Sequence, residues 1–116
     1  MAYLYIVRCE DGSLYTGIAA DIAHRMRVHL GGGREAAKYT RAHPVKELAA
    51  LWRVADLRVA ARLEYFVKRL SRKQKLILVE DPSLLGRDAR FAPSESAVCE
   101  PLCEVTLADC LAGKIS

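Results

Sequence analysis

"AYLYIVRCEDGSLYTGI", residues 2–18, decides how the chain is to be read. Its two arms are rich in the aromatic and β-branched side chains that suit a pleated sheet. Asp11-Gly12 between them is a turn signal, so the chain opens with a β-hairpin. Side chains alternate faces along a strand, and loop length therefore decides which tyrosines share a face. A two-residue loop at Asp11-Gly12 pairs Cys9 with Leu14 and separates Tyr5 from Tyr15. A three-residue loop over 11–13 pairs Cys9 with Tyr15 and brings Tyr5 and Tyr15 to one face. A site shared by the two tyrosines requires the odd-length loop or a bulge.

Outward from the hairpin, Gly17 marks a point where backbone turns or is closely approached. Asp21 is an N-cap for a helix over 21–30. Ile22, Met26 and Leu30 define its apolar side, with Arg25 and His29 one turn apart along the edge of that side. Such residues can look into a groove while their stems stay packed, although one Arg and one His there are also ordinary snorkelling side chains. "GGGRE" at 31–35 stops the helix, a short helix fits 35–42, and Pro44 breaks it. "ELAALWRVA", 47–55, reads as a third strand. From Leu57 to Val79, Val59, Leu63, Phe66, Val67, Leu70 and Ile77 cluster on one side of a single long helix. Asp81-Pro82 ends it. "GRDARFAPSESAVCEP" at 86–101 reads as a linker, and "LCEVTLADCLAG" at 102–113 as one short helix or a strand. The expected fold class is α+β, a small three-stranded antiparallel sheet flanked by helices. Residues 1–80 form its domain, and 81–116 are a C-terminal extension without which the domain is expected to fold.

The chain has 116 residues, one ordinary domain, with just over half of them apolar. No apolar run approaches the ~20 residues of a membrane span. Arg8, Glu10 and Asp11 interrupt the first apolar stretch, so no signal peptide is read there. Cys9, Cys99, Cys103 and Cys110 are accordingly read as reduced thiols in a cytoplasm. The spacing Cys99-x3-Cys103-x6-Cys110 lacks the paired knuckles of a structural zinc site. Charge is uneven: residues 1–80 carry 15 Lys/Arg against 8 Asp/Glu, and residues 81–116 carry 3 against 6. A basic body of +7 with a −3 tail suits a polyanionic partner, as it also suits a plain solvated surface. Between Arg58 and Lys75, Glu64 is the only acid among seven bases. An isolated carboxylate in a basic field can hold a divalent cation beside a phosphate. Its plain alternative is a solvent-side Glu64–Lys68 pair worth only ~0.2–0.5 kcal/mol.

Taken in order, Tyr3-Leu4-Tyr5, Tyr15-Thr16-Gly17, Arg25, His29, "AKYTR" at 37–41, Pro44 and Glu64 to Ile77 resemble the GIY-YIG nuclease domain over residues 2–80. The closest likeness is to its small single-domain bacterial members. The resemblance implies a metal-dependent DNA endonuclease using Mg²⁺ or Mn²⁺, acting on single-stranded or branched DNA. It implies roles for single residues. Tyr15 resembles the tyrosine that deprotonates the attacking water or hands it to the metal, and Tyr5 its neighbour in the same site. Arg25 resembles the arginine that neutralises the scissile phosphate, with His29 one turn on. Glu64 resembles the carboxylate that binds the metal. Lys38, Tyr39 and Arg41, with Lys68 and Lys75, are the expected nucleic-acid contacts. The chain departs from the pattern at Tyr3, where the family often has glycine, at Leu30 where Asn is common, and in having no asparagine at all. A non-catalytic nucleic-acid-binding module of the same fold is the competing reading.

Overall fold

The computed structural model describes residues 1–31, 42–92 and 99–113. Strand β1, Ala2–Cys9, is central because both of its faces are covered: Leu4, Tyr5, Ile6 and Val7 are all fully buried. A strand buried on both sides reads as a continuous apolar run rather than an alternation. It pairs antiparallel with β2, Leu14–Ala19, on one side and with β3, Val45–Val54, on the other. A short strand β4, Cys99–Pro101, adds to the outer edge of β3, giving the order β2-β1-β3-β4. The class is α+β as expected, but the antiparallel sheet has four strands rather than three. The fourth comes from the segment read as linker, too short at three residues to declare itself by periodicity.

The hairpin loop is odd in length, but one position earlier than the sequence suggested. Cys9 N–H donates to Ser13 O at 2.8 Å, and Gly12 N–H to Cys9 O at 2.9 Å, with Gly12 at φ +85°. The loop is thus Glu10–Gly12, a turn closed by a left-handed glycine. Val7 faces Tyr15 and Tyr5 faces Gly17 across the ladder, so Tyr5 and Tyr15 do share a face. In β3 two register shifts against β1 let Leu48 and Leu51 serve one face while Ala50, Trp52 and Val54 serve the other.

Each face carries its own core. Helices α2, Leu57–Lys68, and α3, Arg72–Glu80, pack Leu63, Val67 and Leu78 against Leu4, Ile6 and Trp52. Leu57 to Val79 is therefore two helices and not one. Ser71 caps α3 in a reciprocal box with Gln74, and Arg69 closes α2. On the opposite face, helix α1, Ile22–Gly31, packs Ile22 and Met26 against Tyr3, Tyr5 and Val7. Asp21 caps it, accepting from His24 N–H at 3.0 Å.

Residues 81–92 and 99–113 are built into both cores. Phe91 and Leu85 are buried with Trp52, whose indole N–H donates to Pro82 O at 2.8 Å. Helix α4, Leu107–Leu111, lies on α1 and buries Cys110 on the other face. The "linker" thus contains a core aromatic, and "LCEVTLADCLAG" contains a helix. Cys99 and Cys110 sit in cores on opposite sides of the sheet, so they cannot ligate one ion.

Candidate active site

The sheet's α1 face holds a group of polar side chains drawn from four elements. Tyr5, on β1, lies with its ring across Gly17 on β2. A Cβ at Gly17 would sit 2.6 Å from Tyr5 Cζ and 3.1 Å from Cε1, and closer still to the hydroxyl. Glycine is required here by contact with a cross-strand partner, its backbone being ordinary extended strand.

Seated this way, Tyr5 Oη meets His29 Nε2 at 2.6 Å, and Arg25 Nε–H donates to the same oxygen at 3.4 Å. The phenol oxygen thus joins β1 to two residues of α1, one turn apart. Burial, opposed by Arg25, pushes the Tyr5 phenol up to about 12, and the nearby Tyr15 and Glu64 add to the rise. Burial, followed by the Arg25 charge, pushes His29 down to about 4. Both groups are neutral at neutral pH, so the Tyr5–His29 pair is a hydrogen bond between uncharged partners. His29 is only 2% exposed, while Leu30 is 44% exposed. The buried side of α1 is therefore Ile22, Met26 and His29, not Ile22, Met26 and Leu30. The partner that decides this lies across the sheet interface: a phenol waits where the wheel predicted aliphatic packing.

Tyr15, half-buried on edge strand β2, stacks edge-on against the same His29 ring at 5.7 Å. The Lys68 ammonium lies 5.6 Å over the Tyr15 ring and 3.5 Å from Glu64. Helix α2 packs along β2 and β1, which brings Glu64 and Lys68 round the sheet edge to the tyrosines. Glu64 is 24% exposed, an acid at the solvent edge of the group rather than inside it. Thus Tyr5, Tyr15, Arg25, His29, Glu64 and Lys68 come together. Lys75 stands on α3, beyond the helix break. Lys38, Tyr39 and Arg41 fall outside the described residues.

Among the described residues, no group of three or more His, Cys, Asp or Glu gathers. A single carboxylate at the solvent edge suits a hard cation that keeps most of its waters and takes its other oxygens from a phosphate. Magnesium and manganese fit that donor set; a closed zinc site does not. A surface pair that the sequence reading passed over is Tyr65 and Arg69, whose Nη1–H donates to the phenol oxygen at 2.9 Å. The i,i+4 spacing of a tyrosine and an arginine was its available signal.

Residues 1–76 match the family model of the GIY-YIG catalytic domain. The chain is 44% identical over 77 residues to the UPF0213 protein BH0048 of Halalkalibacterium halodurans, spanning 66% of this chain and 80% of that one. It is 36% identical over 86 residues to the UPF0213 protein FN1575 of Fusobacterium nucleatum, covering 74% of this chain and 84% of the relative. It is 42% identical over 79 residues to the UPF0213 protein YhbQ of Salmonella typhimurium, covering 68% and 77%. The solution NMR structure of BH0048 is 40% identical, covers 84% of this chain and 100% of its own, and superposes with a TM-score of 0.45. Among the described residues, no helix is long and apolar enough to cross a membrane.

Proposed function

The chain belongs to the GIY-YIG family, a family of nucleases, and on that premise we propose that it is a Mg²⁺- or Mn²⁺-dependent DNA endonuclease favouring single-stranded or branched DNA. The observation that carries this reading is the meeting of Tyr5, Tyr15, Arg25, His29 and Glu64 from β1, β2, α1 and α2 at one edge of the sheet. Binding alone needs no such combination of phenols, guanidinium and lone carboxylate.

The division of labour follows from the chemistry. A water oxygen attacks phosphorus, a proton leaves that water, and the bond from phosphorus to the departing sugar oxygen breaks. Tyr5 is held protonated, so it is no base at neutral pH. It is a positioning residue that fixes the Arg25 guanidinium through Nε and the His29 ring through Nε2. Arg25, anchored through its Nε, brings its guanidinium charge to the charge that grows on the phosphoryl oxygens. Tyr15 reaches solvent on the same face and, as its phenolate, would take the proton of the attacking water. Glu64 would hold the cation, and Lys68, 3.5 Å from Glu64, stands beside it for a neighbouring phosphate. When bound, the cation supplies positive charge to the phosphoryl and leaving oxygens.

Single-turnover cleavage of labelled single-stranded, duplex and flap DNA in Mg²⁺ or Mn²⁺ tests the reading. Glu64→Gln should abolish cleavage, and Tyr15→Phe should lose most of it while changing only a hydroxyl. Arg25→Ala should slow the step by roughly 100-fold with a smaller effect on affinity. If Glu64→Gln cuts as fast as wild type, the site is not a nuclease centre and the binding module takes its place.

A further inference from the structure

Helix α2 presents three different faces. Ala60, Leu63 and Val67 are buried in the core. Glu64 and Lys68 flank the tyrosine cluster. The third face is exposed and reads Arg58, Arg62, Tyr65 and Arg69, at the i, i+4, i+7, i+11 spacing of one helical stripe. Glu64 is the only acid within α2, against Arg58, Arg62 and Lys68.

Tyr65 is the unusual member. It is 66% exposed, a large aromatic ring standing in solvent. It is also held: Arg69 donates to its hydroxyl at 2.9 Å and lays its guanidinium carbon 5.3 Å from the ring centre. The ring is thereby pre-positioned on one side and left open on the other. Tyr65 directly follows Glu64, and Lys68 lies between the two faces, so the stripe adjoins the cluster.

We propose that the Arg58–Arg62–Tyr65–Arg69 face of α2 is a binding platform for single-stranded DNA, one unpaired base stacking on Tyr65 while the arginines take the flanking phosphates. The inference rests on DNA being the polymer cut at the neighbouring cluster, and it deepens that reading by naming how an unpaired strand is preferred. Every base has a π-face for an exposed ring to meet, and basic side chains track the backbone beside it. A duplex keeps those faces inside its stack, so a convex helix can reach only its phosphates. Charge complementarity thus admits both forms, and the tyrosine selects the single strand.

The full-length protein tests this directly. Tyr65→Trp places an indole on the platform, against a background of one buried tryptophan, Trp52. A short oligodeoxythymidylate should quench the added emission, and the same oligonucleotide with abasic sites should not. In fluorescence anisotropy, Tyr65→Ala should weaken single-strand binding by about tenfold and leave hairpin-duplex binding unchanged. Tyr65→Phe should bind as wild type. Arg58→Ala and Arg62→Ala should weaken both forms and each lower the salt slope by about one. The platform is refuted if Tyr65→Ala binds single strands as wild type does, if it weakens both forms equally, or if abasic DNA quenches as well. Cleavage separates the two readings. Base-dependent quenching in Tyr65→Trp, with a wild-type chain that cuts nothing, overturns the nuclease and leaves the platform standing. Cleavage with no loss of single-strand binding in Tyr65→Ala does the reverse.

Discussion

Gly17→Ala probes the step by which the hairpin becomes a site. The added methyl would arrive 2.6 Å from Tyr5 Cζ and 3.1 Å from Cε1. Neither position tolerates a carbon, and the ring that must give way is fully buried. Overpacking of this kind costs about 1–3 kcal/mol. Moving Tyr5 Oη off His29 Nε2 adds about 1 kcal/mol for a buried hydrogen bond. The total, roughly 2–4 kcal/mol, is below the 5–15 kcal/mol typical of domains, so the variant should fold. Its Tm should fall by roughly 10–15 °C, read by circular dichroism with urea unfolding alongside. Cleavage should fall by more than the folded fraction explains, because Arg25 loses the oxygen that anchors its Nε. The backbone at Gly17 is not in the left-handed region, so contact is the only source of the cost. Removing the ring with Tyr5→Leu should therefore make Gly17→Ala nearly neutral in a double-mutant cycle. A Gly17→Ala chain as stable as wild type, or a cost unchanged in the Tyr5→Leu background, would refute the seating of Tyr5 on Gly17.

Two further outcomes follow from burial. His29 is pushed down from 6.5 to about 4 in the fold, so between those values the unfolded chain binds a proton that the native state refuses. Stability should accordingly fall as pH drops through that window, by about 3 kcal/mol for this residue, and His29→Gln should flatten the decline in urea midpoints. An NMR titration of His29 near 6.5 would exclude it. Phe91→Ala, at a fully buried position, should cost about 3–5 kcal/mol, and a chain cut after Glu80 should lose its sharp urea transition. A cooperative transition in the shortened chain would show that residues 81–113 only decorate the domain.

The hairpin, the alternation of strands and helices, and the ordered set Tyr5, Tyr15, Arg25, His29 and Glu64 were legible in sequence, because each rests on local chemistry. Asp11-Gly12 turns whatever surrounds it, Asp21 caps whatever helix follows, and a lone acid among bases is visible by counting. The break at Arg69–Ser71 was encoded just as locally, in the Ser71–Gln74 box, but an apolar stripe that ran on through it hid the signal. Other features depended on partners distant in the chain. Whether Tyr5 meets Tyr15 turned on a loop placed at Glu10–Gly12, which only the ladder against β2 fixes. Whether His29 or Leu30 faces inward turned on the Tyr5 hydroxyl waiting across the sheet, and a helical wheel knows nothing of what it packs against. The 81–113 segment looked dispensable because residues 86–101 are polar and Pro-containing and no sustained strand or helix period runs through it. Leu85, Phe91 and Cys110 become core only when the two sheet faces are there to receive them. Local periodicity names the elements; register and burial, which join residues far apart in the chain, assemble the site.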